Sequence, residues 1–316
     1  RFGPGDQFRK IEGIQQFGER ISHAAGKSTN IELYPIEQRP GGNGPILAQT
    51  LAHYGIRVEL MGALGQPIDP LFENLSPSIV PISLGQPAVT NAIEFNDGKL
   101  MLGITHSLDA IDLAITAPIF EKNHRKIASC DLLCFVNWTM MIHMDAMVDF
   151  LWQRLEKDRR KIVFFDLADP EKRSTEDIRN ILASIQRYTQ KRFTILGLNL
   201  KEAEQIAVLL PPAPRREILQ PSLVDLCRFI GDAMGIDEVF IHDNSCCAAS
   251  TPTQTAFVDG FFVPNPRTTT GAGDHFNGGY LVAKLRGKSL EACLTKGYKI
   301  SSYFVRTGTF LPPQNI

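Results

Sequence analysis

Residues 267–279 read RTTTGAGDHFNGG, and an apolar pattern at helical spacing (Phe276, Tyr280, Leu281, Ala283, Leu285) begins inside them. This is a glycine-rich turn that opens a helix. Gly271 and Gly273 carry no Cβ, so the backbone there can reach unusual dihedrals and approach a ligand closely, turning free N–H groups towards one point. Those donors and the helix dipole make a site for an anion. Asp274 follows at once, so a carboxylate stands at the mouth of the same helix, beside the anion. An alcohol is too weak an acid to attack phosphorus unaided, and a carboxylate in hydrogen-bonding reach accepts its proton. For an isolated GxGD the plainer reading is a tight turn with a capping aspartate. The rest of the chain decides between the two.

Outward from this turn, the stretch from about residue 128 alternates strand and helix. Strands are expected at 131–136, 162–166, 193–198 and 238–242, with helices at 145–158, 178–188, 202–210 and 221–234. Such alternation predicts a parallel sheet covered by helices. PPAPRR at 211–216 reads as a stiff surface connection. Nearer the amino end, PILAQTLAHY (45–54) is helical, Gly55 supplies its stop, and a strand follows at 58–61. The runs 81–84 and 88–95 are β-like, and Asn96-Asp97-Gly98 is a hairpin turn, which makes this region antiparallel. The first forty residues are polar; their one strand signal is the alternation at 31–36. The expected architecture is one α/β domain spanning 1–316, with a small β appendage.

Composition excludes several classes of function. Hydrophobic residues make up 43% and charged residues 21%, ordinary for a globular chain. With 33 basic against 34 acidic side chains the formal charge is −1, so there is no broad positive field for nucleic acid or an anionic membrane. Phosphate recognition has to be local. No apolar run is long enough to span a bilayer and the amino terminus has no signal-like stretch, so the protein reads as cytoplasmic. The six cysteines show neither zinc-type CxxC pairs nor a disulfide framework, and Cys246-Cys247 reads as buried thiols rather than a redox pair.

RTTTGAGDHFNGG resembles the carboxy-terminal signature of the ribokinase (PfkB-type) carbohydrate kinases, commonly DTxGAGDxFxxG, through GAGD, Phe276 and Gly279. RPGGNGPILAQTLAHYGIRVELMGALG (39–65) is similar to that family's first signature, and GLNLKEAE (197–204) to its NxxE element, through Asn199 and Glu202. Three signatures in order, across roughly 33–310, outweigh the plain turn-and-cap reading. The resemblance implies a ribokinase-like three-layer αβα sandwich with a small β-sheet lid from about 31–40 and 88–105. It also implies Mg2+-assisted transfer of phosphate from ATP to a hydroxyl of a sugar or sugar-like molecule, and it admits a monovalent cation. Asp274 is then the base and Gly271, Ala272 and Gly273 the anion hole. Gly41, Gly42, Asn43 and Asp166 face the substrate. Asn199, Glu202, Thr270 and Asn277 serve the nucleotide, with Glu202 reaching the metal indirectly through water. A homodimer through the lid covers exposed strand edges.

The chain departs from the pattern in places. Thr268 stands where the family's motif opens with an acid, Ile46 stands where it has an Asn, and IHDNSCCAAS (241–250) lacks the TxG that usually follows the nucleotide-side strand. FDLADPEKR (165–173) resembles a central strand-end segment and offers Asp169 and Arg173 beside Asp166; Asp169-Pro170 equally reads as a helix start. His275 is assigned no catalytic role, since on a helix it points away from Asp274. Three other readings stay open: a binder that has lost turnover, a nucleoside kinase, and a vitamin-precursor kinase, the last opposed by the lid hairpin.

Overall fold

The computed structural model describes residues 10–211, 222–260, 263–264 and 266–315. Most of the PPAPRR connection lies outside them. The order of elements begins with α1 (Ile14–Ser22), α2 (Asn43–His53), β1 (Val58–Gly62), α3 (Pro70–Glu73) and β2 (Ile79–Ser83). Then come β3 (Val89–Phe95), β4 (Gly98–Ile104), α4 (Leu113–Lys122), α5 (His124–Ser129), β5 (Leu132–Val136) and α6 (Met144–Arg154). These are followed by β6 (Ile162–Asp166), α7 (Thr175–Tyr188), β7 (Phe193–Asn199), α8 (Leu200–Ala207), α9 (Leu223–Met234) and β8 (Glu238–His242). The chain closes with β9 (Cys246–Ser250), β10 (Thr255–Asp259), α10 (Ala272–Leu285) and α11 (Leu290–Thr307).

Six strands form one sheet in the order β10-β9-β8-β7-β6-β5. β5 to β8 run parallel, as the strand-helix rhythm requires, and β9 and β10 add antiparallel at the edge. Helices cover both faces. α6, α7, α8 and α9 bury Val148, Ile181, Ile185, Ile206 and Ile230 on one side. α2, α10 and α11 bury Leu47, Phe276, Tyr280, Leu281 and Leu294 on the other. Gly197 sits mid-strand in β7 because Phe164 and Phe240 stack across it at 5.9 Å; a Cβ there would come within 2.8 Å of Phe164. The buried strands β6 and β8 read as continuous apolar runs since both their faces are covered.

Three expectations at the amino end need correction. Residues 31–40 form no strand, so of the two segments expected in the lid only the second is β, a β3–β4 hairpin in register from Val89–Ile104 to Phe95–Gly98. Alternation at 31–36 marks a segment with one apolar side, yet Ile36 is 93% exposed and no strand pairs there. β2, expected within an antiparallel region, pairs parallel to β1 by a crossover through α3, while the antiparallel pairing holds for β3 and β4. The polar start contains the helix α1, which docks on the hairpin turn. Ile14 N–H donates to Asp97 Oδ1 at 3.0 Å, Asn96 N–H donates to the Glu12 carbonyl, and Phe17 packs on Phe95.

The GAGD helix is central. Gly278 and Gly279 bring it against both neighbours at once: a Cβ at 278 would fall 2.4 Å from Thr50 of α2, and one at 279 would fall 2.9 Å from the Gly297 Cα of α11. The tail of the motif is thus a packing device. It aims the amino end of α10 at the carboxyl edge of the sheet, where open α/β folds hold ligands.

Candidate active site

Gly271 caps α10 in the left-handed region, at φ 89° and ψ 2°, a conformation that a side chain resists. Ile46 closes the space behind it, 3.0 Å from where a Cβ would stand, so the residue that departs from the family's Asn packs the turn. The N–H of Ala272 turns back onto the Thr269 carbonyl at 3.2 Å. It is therefore not one of the free donors expected of it. Among the described residues the N–H groups of Gly273 and Asp274 meet no acceptor, and these two point the helix end outward.

Asp274 is 6% exposed and lines a cleft of about 2800 Å³ together with Gly41, Gly42, Asn43, Thr270 and Gly271. Asn43 Nδ2 donates to its Oδ1 at 3.0 Å. Asn43 opens α2 immediately after Gly42, whose φ of 86° turns the chain into the helix. Residues 231 positions apart are thus joined by two helix amino ends facing each other. Burial pushes the Asp274 carboxyl up to about 7; the Asn43 hydrogen bond opposes this and the Glu202 charge adds to it. A carboxyl at that value suits proton transfer near neutral pH.

Asp166 ends β6 and accepts from Ala168 N–H at 2.9 Å and from Asn277 Nδ2 at 2.6 Å. Ala168 and Asp169 both have positive φ, 60° and 66°, a strained pair directly behind the carboxylate. Glu202 holds that turn, its Oε1 accepting from Asp169 N–H at 2.7 Å and its Oε2 from Asn199 N–H at 3.0 Å. Asn199 Oδ1 in return accepts from Glu202 N–H, so the NxxE element is a capping box. The plain helix-start reading and the site reading describe one geometry. Burial raises Asp166 well above the usual carboxylate range, with the Glu202 and Asp274 charges adding; burial also raises Glu202, against its two N–H donors.

Three acids sharing a buried edge favour a cation between them. Both oxygens of Asp166 and of Glu202 are already engaged, and among the described residues no cluster of three His, Cys, Asp or Glu is set to ligate a metal directly. These acids would fit a Mg2+ ion held through its waters rather than by direct ligation. Asn277, expected at the nucleotide, is 2% exposed and turned onto Asp166 instead. It sits one turn along α10 from Asp274.

The β3–β4 hairpin contributes a residue that the sequence did not single out. Lys99, at the start of β4, donates from Nζ to Thr269 Oγ1 at 3.0 Å and to Thr270 Oγ1. A cation thereby hangs over the turn before Gly271. Thr268, in place of the family's acid, hydrogen-bonds to the Val305 carbonyl through its backbone and brings no charge. His275 faces α2, sharing a 2.9 Å hydrogen bond with Thr50 Oγ1, its ring against Phe304. Arg173 stacks on Trp138 and pairs with Asp145 and Asp177, while Asp169 caps a short 3-10 turn; both act in the scaffold.

The family model of the prokaryotic ketohexokinases matches residues 3–315. The chain belongs to that family. It is a phosphotransferase of the PfkB superfamily that takes an alcohol group of a sugar as acceptor. A ketohexokinase of Haloferax volcanii is 24% identical over 98% of this chain and 82% of its own length. A carbohydrate kinase from Agrobacterium tumefaciens superposes with a TM-score of 0.62 over 91% of this chain and 88% of that one, at 17% identity. An E. coli structure in complex with ATP and Mg2+ gives 0.57 over 90% of each, at 14% identity. These solved structures share the fold. Among the described residues no helix is long and apolar enough to cross a membrane.

Proposed function

We propose that this chain moves the γ-phosphoryl group of ATP to a hydroxyl of a ketohexose, with Asp274 as general base. The observation that carries this is the placement of Asp274: nearly buried, in the cleft, at the mouth of a helix where the N–H groups of Gly273 and Asp274 meet no acceptor among the described residues. The acceptor hydroxyl gives its proton to Asp274 Oδ2 while Asn43 holds Oδ1. The N–H groups of Gly273 and Asp274 receive the charge that builds on the phosphoryl oxygens, and Lys99 adds a cation from the lid. Asp166 and Glu202 would hold a Mg2+ ion through its waters, and such an ion would supply neutralisation of phosphate charge. Gly41, Gly42 and Asn43 present backbone and amide groups to the sugar.

The ketose acceptor rests on the names of the family and of the Haloferax relative, and the nucleotide on the E. coli structure that holds ATP and Mg2+. One kinase domain with a hairpin lid is the organisation that this reading takes. The exposed lid residues Val89, Met101, Leu102 and Ile104 favour pairing of two lids into a homodimer. Six unpaired cysteines and the use of ATP support a cytoplasmic location. The test is acceptor-dependent ADP formation across D-fructose, other ketohexoses, aldohexoses, ribose and nucleosides. Preference for a ketohexose by at least about tenfold in kcat/KM supports the reading. Turnover only with a nucleoside, or with no acceptor, refutes it.

A further inference from the structure

The tip of the β3–β4 hairpin is pinned from two sides, and on the first of them it serves α1. Gly13, which caps this helix, has no side chain to offer, and the first helical N–H, that of Ile14, donates to Asp97 Oδ1 at 3.0 Å and to Oδ2 at 3.2 Å. A carboxylate 83 positions away thus sits on the positive end of α1. Asn96 N–H donates to the Glu12 carbonyl at 2.8 Å, and Phe95 packs on Phe17 at 5.4 Å between centroids. Gly98, at φ 153°, leaves room for Ile14, whose Cδ1 lies 2.9 Å from where a Cβ would stand. All four residues of the tip, 95 to 98, therefore grip α1.

Lys99 follows at once and reaches the other way. Its Nζ donates to Thr269 Oγ1 and Thr270 Oγ1, in the turn that leads into Gly271. Glu94 stands directly opposite Lys99 in the β ladder, yet among the described residues the ammonium meets these two neutral hydroxyls and forms no ion pair with Glu94. The hairpin itself does not impose this choice. Among the described residues β3 and β4 pair with no third strand, and a two-stranded hairpin has little rigidity without further packing. Its stance over the turn comes from α1. Without that grip the tip can swing, and Lys99 can turn to the acid across the ladder.

We propose that Asp97 is a positioning residue for phosphoryl transfer: by capping α1 it fixes the hairpin tip so that Lys99 stands over the turn from Thr269 to Asp274 before the nucleotide arrives. A cation fixed in advance spares the reaction the cost of placing it. The proposal rests on the phosphate role that the kinase reading gives to Lys99. Asp97 acts through Lys99 alone and touches neither sugar nor phosphate.

The test is a double-mutant cycle on the full chain, read in kcat/KM for ATP with the preferred acceptor of the sugar panel at saturation. Asp97→Ala removes the acceptor of the cap. Ile14→Pro removes its donor at the first helical position, where proline fits and the extended Gly13 before it suits one. Either variant should lower kcat/KM for ATP by about fivefold, and by no more than Lys99→Met does, with KM for the sugar within about twofold of wild type. Asp97→Asn, which keeps a capping oxygen, should stay within about twofold of wild type. In the Lys99→Met background Asp97→Ala should change kcat/KM by less than about twofold, because the group it positions is gone. Losses that multiply in the double variant overturn the proposal, since they mean that Asp97 serves the fold at large. So does an Asp97→Asn enzyme as impaired as Asp97→Ala. Lys99→Met with unchanged kcat/KM for ATP overturns both this proposal and the phosphate role of Lys99, whereas a deficient Lys99→Met beside an unimpaired Asp97→Ala overturns the proposal alone.

Discussion

Asp274→Asn separates what the carboxylate does in the reaction from what it costs the fold. Burial, with the nearby Glu202 charge added and the Asn43 hydrogen bond opposing, lifts this carboxyl to about 7 in the folded state. In the unfolded chain an aspartate titrates near ~3.9. Between those values the folded state binds more protons, so stability is greatest at low pH and falls as the pH rises through the window. At about 1.4 kcal/mol for each tenfold step, the ionised carboxylate costs up to about 4 kcal/mol at ~pH 8, as an upper bound. Asparagine has no charge to desolvate, and its Oδ1 still accepts from Asn43. The variant should melt several degrees above wild type at ~pH 8, and the gap should shrink by more than half by ~pH 5. Scanning fluorimetry on ligand-free protein across this range is the assay. A variant no more stable than wild type at the alkaline end, or a gap independent of pH, refutes the reasoning.

Other predictions concern the scaffold and lid. Glu238 is fully buried and accepts from Tyr280 Oη and Lys284 Nζ, so Glu238→Ala leaves a stranded cation and should cost about 3–5 kcal/mol in chemical denaturation; Glu238→Leu with Lys284→Met should recover much of it. Gly279→Ala drives a methyl into Gly297 and Ile300 and should cost at least about 2 kcal/mol, while Gly18→Ala in α1, with open space around it, should be neutral or stabilising by up to about 1 kcal/mol. Lys99→Met should lower kcat/KM for ATP by about tenfold or more while leaving the melting temperature unchanged; equal loss towards ATP and sugar would argue against a role at the phosphates.

How much of this was legible in the sequence follows from the range of each interaction. The strands β5 to β8 and their helices announce themselves because each signal is local and both sheet faces are buried. The GAGD turn was legible for the same reason: glycine, carboxylate and helix start are consecutive. The bond from Asn43 to Asp274 was not, since it depends on how α2 packs on α10 through Thr50 and Gly278. Lys99 is likewise 170 residues from Thr269. The strand expected at 31–36 failed since alternation records only a side to cover, and Pro35 lacks the N–H that a ladder needs. α1 escaped notice because its apolar residues Ile14 and Phe17 have a distant hairpin turn as partner. Ala272 was named as a donor from its place in the motif, whereas the turn geometry consumes its N–H locally.

The claim on which the account rests is that Asp274 takes the proton of the acceptor. The most direct measurement is the initial rate of ketohexose-dependent ADP formation by Asp274→Asn against wild type, at saturating ATP and matched folded fraction. Loss of a positioned base predicts a fall in kcat of about 10²–10⁴-fold with KM for the sugar little changed. A variant that keeps more than about a tenth of the wild-type kcat would contradict it.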